Sequence, residues 1–154
     1  MSEEQNQQQF AIQKIYLKDV SFESPNAPQV FSDGQWKPDV NVQINTEVKK
    51  LNDELNEVTL TVTVTAKQEQ STAFLVEVKQ AGIFQLAGFE QEQLGGMLGA
   101  YCPEVLFPYA REAISDLVTK GGFPQMLLSP VNFNALYMQH QQQQAGQAAE
   151  ETAH

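Results

Sequence analysis

Two histidines, one cysteine and one arginine are the scarce reactive groups of this 154-residue chain. His140 lies in a glutamine run at the end of a candidate helix, and His154 is the last residue. A hydrolytic triad would need one of them as its base, and neither has the rigid surroundings that a base requires. No Cys/His cluster has metal-ligand spacing. Gly95, Gly96 and Gly99 lack the preceding strand and the lysine of a phosphate-cradling loop. Cys102 precedes Pro103 at an expected helix start, where the dipole can activate a thiol. A small packed side chain is the simpler reading. Asp53–Glu54 and Glu3–Glu4 read as solvated turn or tail charges, because an acid/base pair sits in a cleft among apolar groups. The expectation is no catalytic residue, no metal and no cofactor.

The charge balance narrows the partners. With 19 acids against 9 bases the formal charge is −10, which repels nucleic acid and anionic lipid and attracts a basic surface. Arg111 is the single arginine, so phosphate clamping has few parts. An apolar fraction of 42% supports one packed domain. One cysteine allows no intrachain disulfide and fits a reducing compartment. The polar N-terminus lacks the basic and apolar regions of a signal peptide. No apolar run approaches the ~20 residues of a membrane helix. A cytoplasmic protein, with neither membrane insertion nor nucleic-acid binding, is expected.

The elements that must position any site follow from periodicity. Residues 1–9 and 144–154 read as polar, disordered tails around a domain at 10–143. A first strand covers about Phe10 to Glu23. The segment Ser24 to Pro38 is a long loop that carries Val30, Phe31 and Trp36, apolar groups a mere linker does not need. Val40, Val42, Ile44 and Thr46 alternate in a second strand, and Val58, Leu60, Val62 and Val64 in a third, with turn chemistry at 51–54. A fourth strand runs from Thr72 to about Leu86, where Gly82 marks an expected bulge or bend. A helix is expected from Pro103 to about Lys120, bent or begun at Pro108 and ended by Gly121–Gly122. Its apolar rows are Tyr109, Ala113, Leu117 and Ala110, Ile114, Val118. Asn132 is placed to cap a last helix bearing Phe133, Leu136, Tyr137 and His140 on one side. The fold class is α+β: a four-stranded antiparallel sheet followed by two helices packed on one face.

Two surfaces admit more than one reading. Leu75, Glu77 and Lys79 face away from Phe74, Val76 and Val78, and Asp19, Ser21 and Glu23 share a face of the first strand. That face is an ordinary solvated one or an acidic docking surface anchored by Leu75. Phe31, Trp36, Phe133 and Tyr137 either close a core or line a groove for extended peptide.

A string of motifs then resembles the SecB family of protein-export chaperones. It comprises IYLKDVSFESPNAP (15–28), Val30–Phe31, Trp36, VTLTVTVTA (58–66), TAFLVEV (72–78) and GIF (82–84). It continues with LGAYCP (98–103), LFPYARE (106–112), GGFPQ (121–125) and SPVNFNAL (129–136). The resemblance implies a homotetramer, a dimer of dimers with sheets outside and helices between. It implies ATP-independent holding of unfolded precursor polypeptides and their delivery to the SecA motor. By position, Asp19, Glu23, Leu75 and Glu77 match the family's SecA-docking face, and Val76, Val78 and Gln80 match positions governing tetramer assembly. Trp36, Val42, Ile44 and Tyr137 match its client groove, to which Phe31 and Phe133 are added here. Three features depart from the family pattern: a loop one residue longer at 32–35, Gly95–Gly96–Met97 in place of a helix-compatible stretch, and Val76 where Cys is common. The competing expectations are a SecB-like chaperone of a toxin–antitoxin pair and a small-molecule-binding α+β domain.

Overall fold

Alternation of apolar and polar residues, interrupted twice in the first strand, builds β1 (Gln9–Glu23), β2 (Asp39–Lys50), β3 (Leu55–Gln68) and β4 (Ser71–Ala87). The computed structural model describes residues 7–32 and 34–152. The start of the N-terminal tail, Asp33 of the lengthened loop and His154 lie outside them. The strands form one antiparallel sheet in the order β1-β4-β3-β2. Asn52 Oδ1 closes the β2–β3 turn by accepting from the Glu54 and Leu55 amides at 3.0 and 2.8 Å. Glu69 and Gln70, both at positive φ, make the tight turn between β3 and β4.

The inner sheet face carries Val58, Leu60, Val62 and Val64 of β3 with Phe74, Val76, Val78 and Phe84 of β4, all fully buried. Gly82 is not a bulge, for it pairs in register with Ile15 and Val58. A Cβ there would lie 2.7 Å from the Phe84 ring and 3.1 Å from Leu106, so close packing accounts for the glycine. The bulges belong to β1, between Ile12 and Lys14 and between Leu17 and Asp19. Each resets the alternation by one residue. Leu17 thus stays on the inner side while Asp19 turns outward. On the outer face the Tyr16 hydroxyl donates to Glu57 of β3, and Lys18 Nζ reaches the same carboxylate at 2.8 Å. These two hydrogen bonds hold the Glu57 carboxyl below its usual range, while burial, then the Glu57 contact, raises Tyr16 to about 12.

The helical half begins earlier than its breakers suggest. α1 (Gln91–Gly96) runs through a π-turn at Met97–Tyr101 into α2 (Cys102–Lys120). Pro103 has no N–H to donate, and the chain accommodates it by widening the turn, with Cys102 N–H bonded to the Met97 carbonyl. Pro108 lies inside α2 and does not start it. Of the two expected rows, Ala110, Ile114 and Val118 face the core, whereas Tyr109 is 48% exposed on the flank toward β1. α3 (Phe133–Thr152) starts at the expected cap, where Asn132 Oδ1 accepts from the Ala135 amide at 3.0 Å. It continues through residues read as tail from 144, since Gln, Ala and Glu are good helix formers without any apolar stripe. Among the described residues no helix is long and apolar enough to cross a membrane.

The residues matched to tetramer assembly lie inside the chain. Val76 and Val78 have no exposed surface and Gln80 has 3%, its amide donating to the Tyr16 carbonyl at 3.1 Å. The two valines pack under α2 in their own chain, so neither can meet a partner directly. A charge there meets the core rather than an interface. Val78→Asp is expected to lower stability by about 3 kcal/mol or more, measured by urea unfolding. A variant that unfolds like the parent while changing only its native mass would contradict this placement.

Candidate functional site

A helix is about 10 Å across, and four strands spaced about 4.8 Å apart make a sheet about 19 Å wide. α2 therefore covers the two middle strands and leaves the inner faces of both edge strands open. Along β2, Val40, Val42 and Val48 stay 41–45% exposed. Pro124 and Pro130 keep the α2–α3 connection extended, and its Met126, Leu127, Leu128 and Val131 rise beside β2. Between them lies a cavity of about 570 Å³ with Val42 and Ile44 on its floor and Phe107 and Leu136 on its walls. A second, of about 380 Å³, continues past Ile44 to Val48 under Phe133, Tyr137 and His140 of α3. Ile44 and Leu136 line both, so the two form one groove. From Val40 to Val48 it is roughly 26 Å long at the rise of a strand.

The six residues assigned to client binding fall at three places beside this groove. Phe31 and Trp36 converge on Phe123, with ring centroids at 5.1 and 5.3 Å. Phe123 also packs, tilted, against Phe74 of the core at 5.1 Å, so the aromatic group is anchored. Val42 and Ile44 form the floor. Phe133 is buried edge-on against Phe107 at 5.6 Å, which makes it a support for α3 more than a contact surface. Tyr137 lines the groove from α3. Sequence reasoning missed Phe107, Phe123, Met126 and Leu136. The signal for Phe123 was available: a large apolar group in a Gly-Gly-Phe-Pro loop meets the criterion that singled out Trp36. Arg111 lies over the Phe107 ring at 5.8 Å and caps that wall.

The outer face carries the opposite chemistry. Glu23 stands across from Leu75, Ser21 from Glu77 and Asp19 from Lys79. The first-strand and fourth-strand faces therefore merge into one patch, which the β1 bulge makes possible by turning Asp19 outward. Thr63 of β3 orients Glu77 by donating to its carboxylate at 3.0 Å. Lys79 breaks the acidity at one edge. Acidic patch and apolar groove lie on opposite sides of the sheet.

The side of β1 is also open. Leu17 is 53% exposed, and with Ile15, Tyr109, Ala113 and Leu127 it borders a cavity of about 720 Å³ next to Gln80. Among the described residues no group of three or more His, Cys, Asp and Glu side chains could hold a metal ion. His140 faces Gln144 at 3.0 Å on α3.

Comparison with known proteins points one way. A family described as preprotein translocase subunit SecB matches residues 3–144. The protein-export protein SecB of Nitrosococcus oceani is 56% identical over 99% of this chain and 94% of its own length. That of Thioalkalivibrio sulfidiphilus is 59% identical over 97% of this chain and 90% of its own. Among solved structures, a SecB-like chaperone of Mycobacterium tuberculosis in complex with an antitoxin peptide superposes with a TM-score of 0.64. It covers 79% of this chain and 90% of its own at 16% identity, a likeness of fold.

Cys102 is fully buried within the helical path, and burial pushes its thiol up to about 12. The packed reading holds and the activated one fails. An unfolded thiol ionises near pH ~8.5, so its contribution to stability is intact below that and declines as pH rises toward the folded value. Iodoacetamide at pH 8 should leave the native thiol unmodified and label it once urea unfolds the chain, as mass spectrometry would read. Rapid labelling of the native protein would contradict the burial.

Proposed function

Because this chain belongs to the SecB family of protein-export proteins, we propose that it holds unfolded secretory precursors without nucleotide and hands them to the SecA motor. The family is one of chaperones, not enzymes. The observation that carries the reading is the open apolar groove along β2, back to back with an acidic patch. A folded client hides its apolar segments, whereas an unfolded one offers many. Burial worth about 25 cal/mol per Å² of apolar surface therefore selects for the unfolded state and not for a sequence. The groove suits about eight extended residues, and β2, as an edge strand, can add the client backbone to the sheet.

Each segment binds weakly, and retention needs several grooves on one particle. A tetramer provides them. The open β1 side, with Leu17 and Tyr109 exposed, supplies apolar surface for assembly, and Val76, Val78 and Gln80 govern it from beneath by fixing β4 under α2. The acidic patch then serves a different partner: Asp19, Glu23 and Glu77 steer a basic surface of SecA, and Leu75 gives it an apolar contact. Steering of this kind weakens as salt rises. The 56–59% identity to protein-export relatives favours this role over service to an antitoxin.

The two activities should separate by mutation. Trp36→Ala with Val42→Asp is expected to weaken capture of a reduced, denatured precursor tenfold or more, at about 1–3 kcal/mol for the aromatic alone, with SecA binding kept. Glu77→Lys should do the reverse, most strongly at low salt. Co-sedimentation measures both in one preparation of native mass four times that of the chain. Loss of client holding in Glu77→Lys with SecA binding intact would mean the surfaces are exchanged.

A further inference from the structure

Beyond its capped start, α3 rests on the helical path through Tyr137. A Cβ added at Gly99 would clash with the Tyr137 ring at Cδ2 and Cε2. One added at Gly95 would stand 2.6 Å from the Tyr137 hydroxyl oxygen but 3.8 Å from Cζ, an ordinary contact. Ring and hydroxyl thus occupy space that these two glycines leave empty. Gly96, next in sequence, has nothing within 4 Å of its would-be Cβ. From its own helix the hydroxyl accepts from Gln141 Nε2 at 2.7 Å, which fixes its position. The same ring lines the groove with Leu136, opposite Ile44 of β2.

We infer that Gly95 and Gly99 form a socket for Tyr137 that sets the width of the peptide groove, Gly99 receiving the ring and Gly95 the hydroxyl. The inference rests on the groove being the client site and adds a positioning residue outside it. Gly95 acts only through Tyr137. Local propensity argues the other way, since alanine favours a helix interior over glycine. A Gly95→Ala substitution therefore separates the two effects. With Ala at 95 the hydroxyl must leave, the ring turns out of its seat, and α3 moves away from β2. Removing the hydroxyl as well leaves room for both.

The test uses the full chain as wild type, Gly95→Ala, Gly96→Ala, Tyr137→Phe and the double variant Gly95→Ala/Tyr137→Phe. Amide hydrogen exchange over residues 133–144 reads the seat, and release of a fluorescently labelled, reduced precursor reads the groove. Gly95→Ala is expected to speed exchange in that segment and to speed release three- to tenfold. Gly96→Ala should change neither, and adding Gly95→Ala to Tyr137→Phe should shift neither readout more than twofold from Tyr137→Phe alone. The inference is overturned if Gly95→Ala matches wild type in either readout, or if Gly95→Ala impairs the Tyr137→Phe chain as much as it impairs wild type. A wild-type protein that holds no precursor instead sinks the chaperone reading, and the inference with it, whatever the exchange shows.

Discussion

One helix about 10 Å across lies on a sheet about 19 Å wide, and the surfaces of this protein follow from that mismatch. α2 buries Leu106, Ala110, Ile114 and Val118 against the middle strands. What it cannot reach is the inner face of β1 and of β2, whose alternation supplies apolar residues there all the same. A second helix packed across the sheet would cover them. α3 instead stands off to the side, joined through Phe133 and Tyr137, and so forms a wall and not a cover. The open floor is thus the direct result of too few helices for the sheet.

The outer face is free for another use because the inner face carries the whole core. Threonines at 59, 61, 63 and 65 fill its centre on β3, and the Tyr16–Glu57–Lys18 contacts tie β1 to β3 across β4. Ala81, facing Tyr16 and Thr59 in the ladder, is fully buried although it belongs to this face. The acidic patch sits at the far end, around Glu77. Separation across one sheet keeps the apolar and the acidic surface from masking each other.

Much of this was legible in the sequence. Period-two alternation placed β2, β3 and β4, and the shared face of Asp19, Ser21 and Glu23 met that of Leu75 and Glu77 as the pattern required. Three features were hidden for physical reasons. The β1 bulges use Gln13 and Lys18, ordinary residues with no turn signature. The helical path from Gln91 carries three glycines and two prolines, of which Gly95, Gly96 and Pro103 read as breaks, because a π-turn leaves no mark in composition. A fully apolar inner row cannot say whether its valines meet their own helix or another subunit, and Val76 and Val78 meet their own.

The central claim, that unfolded chains bind along β2 and leave the acidic face free, is open to one direct measurement. Hydrogen exchange of the assembled protein would be compared with and without a saturating, reduced precursor. Protection should appear at residues 40–48 and 123–137, while β1 and β4 around Asp19, Glu23 and Glu77 exchange as before. Protection concentrated on the acidic face, with residues 40–48 unchanged, would contradict it.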